Sequence, residues 1–134
     1  MKDIYLSDYA CESRLYKEYV KYGRLIIAYD FDNTVYDYHH IGLKFDKVIN
    51  LLRECEKMGF YLIVFTCSKE ERYPEIEKYL KENDIPYNAI NKNAPGINFA
   101  HGKIYYNILL DDRAGLKSAY ENLSNLIDTI KKEM

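Results

Sequence analysis

The stretch that most constrains this chain is Leu25-Ile26-Ile27-Ala28-Tyr29-Asp30-Phe31-Asp32-Asn33-Thr34. An apolar run of strand-forming residues ends abruptly in two carboxylates one residue apart, then a hydroxyl. A continuous run of this kind reads as a strand buried on both faces, which is the habit of parallel sheets. Ligands of open parallel sheets bind just beyond the carboxyl ends of the strands. Asp30 and Asp32 therefore fall where chemistry is expected. Two anions so close need a cation or a proton between them.

The pattern recurs. Phe60 to Thr66 is a second apolar run ending in a hydroxyl, and Ile104 to Leu110 another, followed by Asp111-Asp112-Arg113. Strands are expected over 24–30, 60–66, 85–90 and 104–110. Helices are expected over 7–22, 44–58, 70–83 and about 114–132, from apolar residues at helical spacing. Ser7 can cap the first helix and Gly23 stops it. Tyr9, Leu15, Tyr16, Tyr19 and Val20 form its apolar stripe, so it is an accessory helix packed on the sheet or reaching over the site. Pro74 belongs in the first turns of the third helix, and Pro86 marks a late-starting or edge strand. The irregular segment 33–43 and the loop 91–103 are long enough to be functional.

Strands alternating with helices predict an α/β fold, a doubly wound, Rossmann-like parallel sheet flanked by helices. It forms one domain over 1–134, with an accessory helix in 1–23 and the α/β core in 24–134. Parallel strands would bring Asp30 and Asp32, Thr66, and Asp111 and Asp112 to one edge.

The chain has 134 residues, enough for one core. Its net charge of −2 makes no electrostatic case for nucleic acid or an anionic membrane as partner. No run approaches membrane length, and Met1-Lys2-Asp3-Ile4-Tyr5 lacks an apolar secretory segment. Cys11, Cys55 and Cys67 show neither metal spacing nor an even disulfide set, which points to the cytoplasm. Cys67 reads as a small buried residue, and His39 and His40 as surface histidines. The 15 tyrosines are spread over every segment and read as core and half-buried packing.

Four carboxylates with no histidine or cysteine among them suit a hard cation, Mg²⁺ first. Such an ion completes its shell with phosphate and water. A threonine hydroxyl, Thr66, and a lysine, Lys103 or its rival Lys92, can hold the remaining phosphate oxygens. A carboxylate held against a phosphoryl group can attack it, and a second can carry the proton.

Asp30-Phe31-Asp32-Asn33-Thr34 resembles the first motif of the haloacid dehalogenase superfamily of phosphotransferases. Val64-Phe65-Thr66-Cys67-Ser68 is similar to the second, Lys103 to the third, and Leu109-Leu110-Asp111-Asp112 to the fourth. The likeness runs from residue 25 to 113, in the family's order. It implies a Mg²⁺-dependent phosphatase working through an aspartyl phosphate, with Asp30 as nucleophile and metal ligand. Asp32 would be the general acid/base, with its carbonyl on the metal. Asp112 would hold the metal and Asp111 would assist. Thr66 and the Cys67 N–H would bind phosphate, Lys103 would neutralise it, and Thr34 would support the turn. An aspartate at position 32 favours phosphoryl transfer over dehalogenation. Neither interval between motifs holds a cap domain, so the resemblance is to capless members. The substrate class stays open, a nucleotide or nucleic-acid end included, as does the oligomeric state. The alternative is a receiver-like or catalytically silent phosphate-binding module. In receivers the acidic pair comes first and the lysine last, the reverse of the order here.

Overall fold

The computed structural model describes residues 3–134. Residues 1 and 2, included in the expected domain and in the N-terminal stretch read for a secretory run, lie outside that range. The elements are α1 (Asp8–Tyr22), β1 (Ile26–Tyr29), α2 (Asp46–Lys57), β2 (Tyr61–Val64), α3 (Tyr73–Glu82), β3 (Ala89–Ile90), β4 (Ile108–Leu110) and α4 (Leu116–Glu133). A 3-10 turn over Ile4–Leu6 precedes α1, and another over Glu70–Arg72 leads into α3. No helix among the described residues is long and apolar enough to cross a membrane.

The sheet has the order β3-β2-β1-β4 and is parallel throughout. The chain winds outward from β1 in both directions, to β2 and β3 on one side and to β4 on the other. This is the doubly wound, Rossmann-like α/β arrangement. Tyr29 is level with Val64 of β2 and with Leu110 of β4. Three strands thus end together, and the residues after each one share an edge.

Alternation along the strands separates two faces. Ile27, Tyr29, Leu62, Val64 and Leu110 pack with Leu15, Leu52, Leu80 and Leu123, one from each helix. The opposite face, with Ile26 and Ile63, is covered by the loop after β3, through Ala94, Ile97, Ile104, Tyr105 and Tyr106. The functional length expected of this loop thus includes a structural duty: it takes the place of a helical layer.

Several elements differ from their expected bounds, each for a local reason. The last strand is three residues long, not seven. Tyr105 donates its N–H to Asn93 Oδ1 (2.7 Å), so residues 104–106 join the covering loop rather than the ladder. The run 85–90 yields two strand residues. Ile85 N–H bonds Leu80 O in the turn that leaves α3, and Pro86 has no N–H and offers its carbonyl to the Tyr29 hydroxyl (2.8 Å). In α1, Tyr9 and Val20 are exposed, against expectation. The helix packs along α4, so only the side bearing Leu15, Tyr16 and Tyr19 meets the core. Its polar ties run to Asn107, Asn122, Asn125 and Glu133, and none reaches the strand-end carboxylates.

Candidate functional site

β1 ends at Tyr29, and the ladder carries one step further: Asp30 N–H donates to Leu110 O (2.9 Å), and Phe65 N–H to Tyr29 O (2.8 Å). Asp30 therefore leaves the sheet from a fixed backbone. The chain then turns sharply. Asn33 adopts a left-handed conformation (φ 59°) and donates its N–H to Tyr36 O (2.7 Å). Asparagine tolerates this region better than most residues.

That turn buries Thr34 completely and aims its hydroxyl between two strand ends. Thr34 Oγ1 lies 3.5 Å from Asp30 Oδ2 and 3.4 Å from Asp112 Oδ1, and it accepts the Asp112 N–H at 3.2 Å. The hydroxyl was expected to support the turn; it also ties β1 to β4. Asp111 Oδ1 accepts the Arg113 N–H (2.9 Å), which orients the first of the two β4 carboxylates.

One oxygen from each of Asp30, Asp111 and Asp112 lies within 4.8 Å of the others. The three come from the ends of β1 and β4, where the winding changes direction, the place where such sheets bind ligands. Among the described residues no lysine or arginine forms an ion pair with any of them. Burial, a hydrogen bond with Asp112 and the charges of Asp111 and Asp112 push the Asp30 carboxyl up to about 7, the Phe31 N–H acting in the opposite sense. Ionising all three carboxylates together is therefore disfavoured in the absence of a cation. Oxygens bound to one Mg²⁺ are about 3.0 Å apart when adjacent and about 4.2 Å apart when opposite, so the three carboxylates would draw together on binding a single ion. Asp30, Asp111 and Asp112 are the residues that could hold a hard divalent cation.

Asp32 is not in this cluster. Its carboxylate is held by Arg72 in a two-pronged pair, Nη1 to Oδ2 at 2.7 Å and Nη2 to Oδ1 at 2.8 Å. The side chains are 28% and 26% exposed, so the pair is substantially shielded. Nothing in the spacing of the sequence links Arg72, forty residues on, to Asp32.

Beyond β2, Thr66 is almost fully buried. Its hydroxyl accepts the Ser68 N–H (3.1 Å) and donates to Ser68 Oγ (3.1 Å), and Ser68 Oγ accepts Arg72 Nη1 (2.8 Å). Asn91, left-handed at φ 52°, holds the loop from the side: its Oδ1 accepts the Thr66 N–H (2.9 Å) and its Nδ2 donates to Thr66 O (2.7 Å). The Cys67 N–H has no protein acceptor among the described residues, and Cys67 is exposed rather than buried, because the chain has left the sheet by that point. Ser68, Arg72 and Asn91 were not anticipated.

Lys92 and Lys103 both lie on the loop leaving β3. Asn93 folds that loop back, bonding Lys103 O (3.4 Å) and the Tyr105 N–H. Neither ammonium pairs with an aspartate, and Lys103 lines a shallow depression with Phe99, His101 and Tyr106. On the segment 33–43, Tyr36 stacks on Phe31 (4.9 Å between rings) and meets Tyr79 edge-on, so it packs the flap down. Asp37 Oδ2 closes the flap by accepting the Gly42 and Leu43 N–H groups, while His39 and His40 are exposed.

No protein-family model matches the sequence, and no curated protein matches it. A solved structure of a conserved protein from Bacteroides thetaiotaomicron is similar, with a TM-score of 0.60 and 22% identity over 83% of this chain and 93% of that one. The chain shares that protein's α/β fold.

Proposed function

We propose that this chain is a Mg²⁺-dependent phosphatase of the capless haloacid dehalogenase type, hydrolysing a phosphomonoester through an aspartyl phosphate. The observation that carries the reading is the convergence of Asp30, Asp111 and Asp112 within 4.8 Å, with no lysine or arginine paired to them among the described residues, beside the loop after β2 where the Cys67 N–H has no protein acceptor. No cap-sized insertion interrupts the described strands, which leaves the edge open to a large substrate.

Asp30, Asp111 and Asp112 would hold the cation, with the Asp32 carbonyl as a further donor. When bound, it would neutralise the charge between carboxylates and phosphate. The Thr66 hydroxyl and the Cys67 N–H bind phosphate oxygens, with Lys103 or Lys92 supplying positive charge. An Asp30 carboxylate oxygen attacks phosphorus. The bond from phosphorus to the substrate oxygen breaks, that oxygen leaves with the electron pair, and it takes a proton from Asp32. A water then gives its proton to the Asp32 carboxylate and attacks the same phosphorus. The bond to Asp30 breaks, phosphate leaves and both aspartates are restored.

Turnover of p-nitrophenyl phosphate with and without Mg²⁺ tests this. Wild type should turn over only with the cation, and Asp30→Asn should be inactive while folded. An inactive wild type, or an Asp30→Asn variant with full activity, rejects the proposal.

A further inference from the structure

We infer that Arg72 is a positioning residue for Asp32, and that it joins the proton-carrying carboxylate to the phosphate loop in one unit. The inference rests on the phosphatase reading above. A lone aspartate at a strand exit has several rotamers, and a proton carrier must keep one of them. The guanidinium fork takes both carboxylate oxygens, which fixes the plane of the group as well as its place.

Arg72 is itself held. It lies over the rings of Phe31 (5.4 Å) and Tyr36 (5.9 Å), both on the β1 exit that carries Asp32. It also donates to Ser68 Oγ, which the Thr66 hydroxyl contacts in turn. An unbroken chain of contacts therefore runs from Asp32 through Arg72 and Ser68 to Thr66.

The arrangement divides the four carboxylates. Asp30, Asp111 and Asp112 form one cluster of carboxylates, and Asp32 is paired with Arg72 outside it. A lysine at position 72 would keep the charge but not the fork, and a glutamine would keep neither.

The test uses the full chain with Mg²⁺ and two substrates. One is p-nitrophenyl phosphate, whose leaving oxygen departs without a proton. The other is phenethyl phosphate, whose alcohol needs one. Arg72→Gln should lower kcat on phenethyl phosphate by about a hundredfold, the usual scale of a mispositioned acid/base, with KM nearly unchanged. With p-nitrophenyl phosphate, formation of the phospho-enzyme should persist and its breakdown should slow, so acid-quenched protein retains phosphate. Asp32→Asn should accumulate phospho-enzyme in the same way, and the double variant should be no slower than Asp32→Asn alone, because the arginine acts through the aspartate. Arg72→Lys should recover part of the rate, and it serves as the test if Arg72→Gln does not fold. Equal losses in the single-turnover rate of phospho-enzyme formation from the two substrates, a change confined to KM, or additive losses in the double variant overturn the inference while wild type remains a phosphatase. An inactive wild type instead overturns the phosphatase reading, and this inference with it.

Discussion

Replacing Asp30 by asparagine should stabilise the cation-free protein while abolishing its activity. The carboxyl stands at about 7 in the fold against an ordinary value of 3.8, chiefly because burial and the neighbouring carboxylates disfavour its ionised form. Below pH 3.8 it is protonated folded or unfolded, and folding carries no penalty. Between 3.8 and about 7 the unfolded chain ionises while the folded one keeps its proton, so raising the pH destabilises the fold; above about 7 the penalty is complete. At about 1.4 kcal/mol per tenfold, the full displacement corresponds to about 4 kcal/mol. Asp30 is half-buried, and solvent screening on its open side reduces this to about 2 kcal/mol. The asparagine retains the shape, lacks the charge, and brings an amide that can donate to Asp112. Thermal unfolding without divalent cations should show the variant melting about 6 °C above wild type at neutral pH. The gap should shrink as the pH falls toward 4. Adding Mg²⁺ should raise wild type alone, by about 2.7 kcal/mol at a hundredfold excess over Kd. A variant less stable than wild type at neutral pH without cation, or a gap that ignores pH, would refute the reasoning.

Asp112→Ala should abolish the rise in melting temperature produced by MgCl₂; an undiminished rise would remove Asp112 from the cation site. Thr34→Val keeps the volume and deletes the hydroxyl that joins Asp30 to Asp112, and should cost about 1–2 kcal/mol in urea unfolding together with part of the Mg²⁺ response. Asn107→Ala should cost a similar amount, about 1–3 kcal/mol, yet leave turnover intact, because that residue sits where β1 and β4 begin. Iodoacetamide should label the exposed Cys67 well before Cys55, whose thiol burial pushes up to about 12, and inorganic phosphate should slow the Cys67 reaction; peptide mass spectrometry reads both rates.

The positions of the strand ends were legible because an apolar run that stops at a carboxylate or hydroxyl states its own limit. Asp30, Thr66 and Asp111 each follow such a run, and the aligned register of β1, β2 and β4 brings those ends to one edge. Strand length was not legible. Ile104, Tyr105 and Tyr106 are as apolar as a strand, but they bury themselves as a loop over the second face, and hydrophobicity alone does not distinguish these uses. Arg72 was hidden for another reason. In Glu70-Glu71-Arg72 it reads as part of a solvated helix face, and its partner lies on a different strand exit. The site's carboxylates announce themselves by type and place, whereas the residue that orients one of them is defined only by tertiary contact.

Strands of two to four residues are short for holding a site to within a few ångströms, and asparagines make up the difference. Asn107 sits one residue before β4; its N–H donates to Ile26 O (2.8 Å) while its side-chain oxygen accepts the Ile26 N–H (2.6 Å). Asn88 does the same before β3, with Leu62 at 2.8 Å in both directions. Asn91 repeats it after β3, its N–H on Val64 O and its side-chain oxygen on the Thr66 N–H, both at 2.9 Å. In each case an amide side chain supplies the acceptor that a backbone carbonyl supplies in a regular ladder, and the sheet gains a rung without a longer strand. The rungs before the strands anchor the edge away from the candidate site, and the rung after β3 anchors the loop that carries Thr66. The two ends therefore separate in their consequences: loss of Asn107 loosens the sheet and spares the chemistry, whereas loss of Asn91 frees Thr66 and should reach both.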